Sequence, residues 1–82
     1  MMAYFTYIIY SKSRNKYYIG SSQDPSKRLE DHNNSRSNYT RKTNDWVLKW
    51  TESFDTKTEA LQKEKSIKKM KSRKYIEKLI DR

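Results

Sequence analysis

The sequence predicts an α/β fold: a small three-stranded antiparallel sheet flanked by helices, in the order β-β-α-β-α-α. Three observations carry this. Residues 4–10 and 16–19 are aromatic and β-branched runs separated by a polar stretch, the pattern of a hairpin. Asp24-Pro25 and Thr56-Lys57-Thr58-Glu59 are helix-start signals. A third β-type run, Trp46 to Thr51, lies between the segments that these signals open.

Tyr4-Phe5-Thr6-Tyr7-Ile8-Ile9-Tyr10 is apolar at both parities, as a strand covered on both faces reads, and this places it at the centre of the sheet. Lys16-Tyr17-Tyr18-Ile19 resumes β character after the polar residues 11–15. A turn centred on Lys12 and Ser13 would set Tyr7 directly across from Tyr18, with Cβ atoms about 4.5–5.5 Å apart. Gly20, the only glycine, ends this strand where backbone must turn or come close to a ligand. Asp24 is suited to cap a helix, and Pro25 at its first position lacks only an N–H that had no partner. That helix is expected to run to about Asn33, with Arg28 and His32 one turn apart beside Leu29.

Residues 35–44 are rich in Ser, Asn, Thr and cations, which reads as an exposed loop. Trp46 to Thr51 is the third strand, followed by Glu52-Ser53-Phe54. In the capping box at Thr56, the hydroxyl would accept from the Glu59 amide and the Glu59 carboxylate would reach back to the Thr56 N–H. The long helix that follows has an apolar stripe of Ala60, Leu61 and Ile67, and Glu64 falls near its middle. Ser72 interrupts this helix, and Tyr75, Ile76, Leu79 and Ile80 form the buried side of a last short one.

Eighty-two residues make one domain, 1–82, which hides only roughly 60–65% of its extended surface on folding. With 35% charged residues and a mean hydropathy of −1.27 it lies near the polar edge for a globular chain, offset by eleven aromatics. The absence of cysteine excludes disulfides and thiolate metal sites and agrees with a cytoplasmic setting. The longest apolar stretch, 4–10, is far short of the ~20 residues of a membrane span, and no signal-type segment precedes it.

Nineteen Lys and Arg against ten Asp and Glu give a net charge of +9, which points to a polyanion, and first to nucleic acid. Residues 56–82 hold ten basic and four acidic groups, and between Lys65 and Lys74 six of ten residues are basic and none acidic. That run reads either as a solvated helix face or as a phosphate-contacting one, with Lys68, Lys69 and Lys71 as candidates. Arg36, Arg41 and Lys42 in the 35–44 loop join them.

Glu64 is the sharpest anomaly, because an ionised carboxylate among apolar residues must be paired or bind a cation. Lys68 at i+4 offers an ordinary ion pair. A lone carboxylate also suits Mg²⁺ or Mn²⁺, which keeps waters and takes substrate phosphate oxygens. With one His and no Cys, transition-metal clusters do not compete. His32 reads as a core or surface residue, or with Arg28 as a phosphate-holding pair that also orients a phenol. Tyr7 and Tyr18 read as hairpin core aromatics; as bases they would need a guanidinium or a metal ion to lower a phenol that titrates near about pH 10. Trp46, Trp50 and Phe54 read as core.

The order and spacing of these pieces resemble the GIY-YIG endonuclease family, in its stand-alone, excinuclease C N-terminal-like form. Phe5-Thr6-Tyr7 stands at the first motif with only the tyrosine kept, and Tyr18-Ile19-Gly20 is the second motif intact. Arg28, eight residues after Gly20, matches the arginine of the family's first helix, and His32 a position that carries His or Tyr in relatives. Tyr39-Thr40-Arg41 resembles the loop before the third strand, and Glu59 to Glu64 the segment with the metal-binding glutamate. Ser21 stands where some family nucleases carry a lysine. The resemblance implies hydrolysis of DNA phosphodiesters, branched or nicked substrates included, with a single divalent ion, Mg²⁺ or Mn²⁺, on Glu64. It implies Tyr7 as the base, Tyr18 as orienting water or phosphate, Arg28 as holding the phosphate and His32 as supporting either. A non-catalytic nucleic-acid-binding module of the same fold is the rival reading, a basic protein-interaction domain a third.

Overall fold

The computed structural model describes residues 3–34 and 44–81, and the candidates Arg36, Arg41 and Lys42 and the segment Tyr39-Thr40-Arg41 lie outside these. The element order is β1 (Tyr4–Ser11), β2 (Lys16–Ser22), α1 (Pro25–Asn33), β3 (Trp46–Phe54), α2 (Lys57–Met70) and α3 (Arg73–Ile80). The three strands form one antiparallel sheet in the order β2-β1-β3. β1 is therefore central, as its double parity requires, and its residues 6–9 are all buried.

The two faces carry separate cores. Tyr7, Ile9 and Trp46 are buried on one face, with Tyr18, Leu29 and Leu48 against them, and α1 covers it. Ile8 and Ile19 belong to the other, where Ile67 of α2 and Leu79 of α3 close over them. Thr6 points the same way and donates from Oγ1 to the Ala60 carbonyl at 2.7 Å, tying β1 to α2 where a small residue lets the helix come close. A bulge between Ile8 and Ile9 shifts the β1–β3 register.

The hairpin register differs from the expected one by two residues. Ser11 pairs with Lys16, so four residues form the turn, and Tyr7 lies across from Gly20 while Tyr18 lies across from Ile9. The cause is tertiary. Asp45, just before β3, accepts from Ser11 Oγ at 2.7 Å and from the Ser13 N–H at 2.8 Å, and so fixes the loop. These hydrogen bonds, that of Ser11 first, hold the Asp45 carboxyl below its usual range. Asn15 closes the turn at φ 53°, a left-handed conformation that Asn tolerates. A shift of two preserves side-chain parity, so Tyr7 and Tyr18 still share a face.

Helix ends follow the sequence closely. Asp24 accepts from the Lys27 N–H at 3.1 Å and Pro25 opens α1. Thr56 accepts from the Glu59 N–H at 3.2 Å, but its hydroxyl also donates to Glu59 Oε1 at 3.1 Å, so the carboxylate meets the side chain where the capping box would send it to the Thr56 N–H. Ser72 caps α3 through the Tyr75 N–H. β3 runs on through Glu52 and Ser53 to Phe54, because on an outer strand polar residues are free to face water. Trp46 is buried as expected, whereas Trp50, Phe54 and Leu61 are half-buried. Among the described residues no helix is long and apolar enough to cross a membrane.

Candidate active site

Tyr7 sits on the central strand and is 1% exposed. Its ring lies over Gly20 of the neighbouring strand: a Cβ built there would come within 2.5 Å of the phenol oxygen and 2.7 Å of Cζ. Gly20 therefore does not end β2, which continues to Ser22, and its φ is not positive. Its lack of a side chain makes room for Tyr7. Gly20→Ala is expected to force the ring from its place and to lower stability by about 1–3 kcal/mol, read as a melting temperature lower by several degrees, with loss of any function that needs the phenol in place.

His32, fully buried on α1, places Nε2 at 3.1 Å from the Tyr7 hydroxyl. Tyr18 meets the same imidazole edge-on, with centroids 4.8 Å apart. Asn33 fixes the far end of this group: its side-chain amide pairs with both the N–H and the carbonyl of Trp46 at 2.8 and 3.0 Å, as a neighbouring strand would. Arg28, one turn before His32, is half-exposed, with its guanidinium 3.6 Å from Asp31 and near enough to the Tyr7 phenol to lower its pKa.

The electrostatics of the pair are set by burial. Desolvation pushes the Tyr7 phenol up; the Arg28 hydrogen bond pulls it down by less, and Tyr18 and Glu64 add to the rise. Arg28 thus acts in the expected direction without winning. Burial, then the Arg28 charge, depress His32, against a smaller opposing effect of Asp31. At neutral pH the pair is a protonated phenol against a neutral imidazole.

Glu64 reaches the site from the opposite side of β2. Its Oε1 accepts from Ser21 Oγ at 2.8 Å, and its Oε2 from Lys68 Nζ at 2.7 Å. Both readings of this residue meet here: the ion pair with Lys68 exists, and the carboxylate stands on the rim of the site with 17% of its side chain exposed. Lys68 also lies 5.9 Å from the centre of the Tyr18 ring, so it bridges the two faces around the free edge of β2. Tyr7, Tyr18, Arg28 and His32 thus form one group and Ser21, Glu64 and Lys68 a second, joined over that edge. The role of Ser21 is legible in the sequence only through parity, since the residue after Gly20 faces α2.

Among the described residues no three His, Cys, Asp or Glu side chains form a metal cluster. One carboxylate at a partly open edge fits a hard, hydrated divalent ion completed by phosphate oxygens, and does not fit an ion caged by protein ligands. Glu64 would hold it.

The model of the GIY-YIG catalytic domain matches residues 3–76. The UPF0213 protein YazA of Bacillus subtilis is 37% identical over 78 residues, spanning 90% of this chain and 78% of that protein. A UPF0213 protein of Halobacterium salinarum is 40% identical over 55 residues, 66% of this chain and 71% of its own length. The solution NMR structure of a UPF0213 protein from Bacillus halodurans superposes with a TM-score of 0.60 at 30% identity, covering 98% of this chain and 84% of that one. This chain belongs to the GIY-YIG catalytic domain family, whose domains are of nuclease type.

Proposed function

We propose that this chain is a divalent-metal-dependent endonuclease that hydrolyses DNA phosphodiesters in a cytoplasmic setting, directed by DNA structure in repair or recombination. The observation that carries the reading is the buried Tyr7–His32 hydrogen bond of 3.1 Å. A phenol raised above its ordinary value is a poor base alone, but a neutral imidazole on its oxygen can take its proton. As water attacks the phosphorus, its proton passes to the Tyr7 oxygen and the phenolic proton to His32 Nε2. The P–O bond to the leaving strand breaks, and the leaving oxygen is protonated from solvent. Arg28 holds a non-bridging oxygen and meets the charge that grows there. Tyr18 orients the water or the phosphate. Glu64 would hold a divalent ion, which would supply positive charge to offset the negative charge that builds up in the reaction.

The test is cleavage of nicked, branched, flapped and linear DNA by the purified protein in Mg²⁺, Mn²⁺ or EDTA. Metal-dependent cutting of any of them supports the reading. The 2.7 Å Lys68–Glu64 pair favours the rival, a binding module in which Glu64 has only a structural partner; binding without cutting in Mn²⁺ would establish it.

Either reading places phosphates on the basic helix. Lys69 and Lys71 are exposed and have no acidic partner among the described residues, whereas Lys68 is paired with Glu64. Changing Lys68, Lys69 and Lys71 to Gln is expected to flatten the slope of log K against log salt on duplex DNA by roughly 2, since each phosphate contact contributes about 0.9. An unchanged slope would make the run a solvated face.

A further inference from the structure

Beyond the catalytic group, α2, α3 and β2 frame an open groove of about 340 Å³. Tyr17, Ile67 and Ile76 give it an apolar floor, and Lys16, Lys68, Lys71 and Arg73 a basic rim with no acidic residue in its lining among the described residues. A second hollow, lined by Tyr17, Tyr18, Ile19 and Lys68, continues it to the Tyr18 ring. The groove is therefore an extension of the candidate site, entered past Lys68.

Its rim is built unevenly. Arg73 is fixed as a wall: it donates to Glu77 at 3.3 Å and to the Asn15 carbonyl at 3.0 Å, and lies 5.1 Å from the Tyr17 ring centre. Lys16 and Lys71 have no acidic partner among the described residues. Lys71 also stands at φ 48°, ψ 37° where α2 ends, a left-handed conformation that glycine ordinarily fills. A lysine there is strained, yet it adds a cation to the rim of the groove.

Charge complementarity calls for an anion, and the floor calls for an apolar group attached to it. Bases within a duplex are stacked and cannot reach such a floor, whereas an unpaired nucleotide offers a base face and a phosphate together. We propose that the groove takes an unpaired nucleotide of the strand that runs through the candidate site, with its base on the apolar floor and its phosphate between Lys16 and Lys71. The substrate class is then DNA with a single-stranded tail or gap beside the cut. This rests on the DNA reading above and adds a subsite to it.

Fluorescence anisotropy in EDTA, with the full chain, compares a blunt duplex with the same duplex carrying a short unpaired tail that contains 2-aminopurine. Stacking of one base corresponds to roughly fivefold in affinity or more, so the tailed duplex is expected to bind at least about fivefold tighter, with a change in 2-aminopurine emission. Lys71→Gly is expected to melt several degrees higher, because glycine relieves the left-handed strain, while losing most of the tail preference and about 0.7 of the salt slope for the tail. Lys16→Gln, on the hairpin, should lose the preference without the gain in stability. Equal binding of blunt and tailed duplexes would overturn the subsite and leave the DNA reading standing; binding of neither would overturn both. A preference that survives both variants, or displacement of the tail by poly-glutamate as readily as by oligo-dT, would also overturn it, the latter by making the groove a site for any anion.

Discussion

Glu64→Gln is expected to abolish DNA cleavage while leaving the fold and DNA binding in place. The amide keeps the size of the side chain and an oxygen that can accept from Ser21 Oγ, now 2.8 Å away. What it loses is the charge. Lys68, with 49% of its side chain exposed, forfeits an i,i+4 pair of the kind that contributes about 0.3–0.5 kcal/mol, a small change in melting temperature. The cost to turnover is of another order: charge stabilisation by a metal ion amounts to several kcal/mol, so cleavage should fall by at least about 10³-fold. Weak Mn²⁺ binding by calorimetry should vanish with it, since no group of three His, Cys, Asp or Glu side chains among the described residues offers the ion another site. DNA affinity in EDTA should hold or rise, because a negative charge has left a surface that meets phosphates. A variant that cuts like the parent would show Glu64 to be a structural partner of Lys68 and Ser21 and no more.

The elements were legible because each is locally over-determined: β1 is apolar at both parities, Asp24-Pro25 and Thr56 open helices by their own hydrogen bonds, and Ser72 caps α3. The hairpin register was not, because turn length is decided by Asp45, distant in sequence and bonded to Ser11 and Ser13. The error of two residues preserved parity, so the sharing of one face by Tyr7 and Tyr18 survived it. Gly20 drew attention as the only glycine, but its reason is the Tyr7 ring on the neighbouring strand, a contact that exists only once the register is known. The partition of the site into two groups around the edge of β2 was implicit in alternation along Tyr18, Gly20 and Ser21, yet reading it needs the side of the sheet that each helix takes. The pairing of Asn33 with Trp46 leaves no local trace at all.

Tyr7→Phe joins the geometry to the chemistry. If water loses its proton to the Tyr7–His32 pair, removing the phenol oxygen should lower the rate by roughly 10²–10⁴, with DNA affinity unchanged. The ring and its packing over Gly20 remain, but His32 loses its 3.1 Å partner inside the core, so stability should also fall by about 1–3 kcal/mol. The pH dependence separates this from packing alone. His32 faces Tyr7, Tyr18, Arg28 and Asp31, with burial and then Arg28 holding it below its ordinary value of about 6.5. The imidazole therefore stays neutral as pH falls through 6.5, and the parent's rate should decline only at the lower, folded-state value. In the unfolded chain His32 takes up a proton below about 6.5 that the folded chain refuses, so stability should weaken with acid from that point down. Tyr7 acts at the other end: the unfolded phenol ionises above about pH 10 while the buried one keeps its proton, and stability should fall as pH rises past 10. In Tyr7→Phe the alkaline loss should shrink and the acid loss remain. Arg28→Lys should slow cleavage too, since a point charge cannot hold a phosphate as the planar fork does. A Tyr7→Phe protein that cuts at the parental rate would assign Tyr7 to the core and leave Tyr18 or His32 as the base.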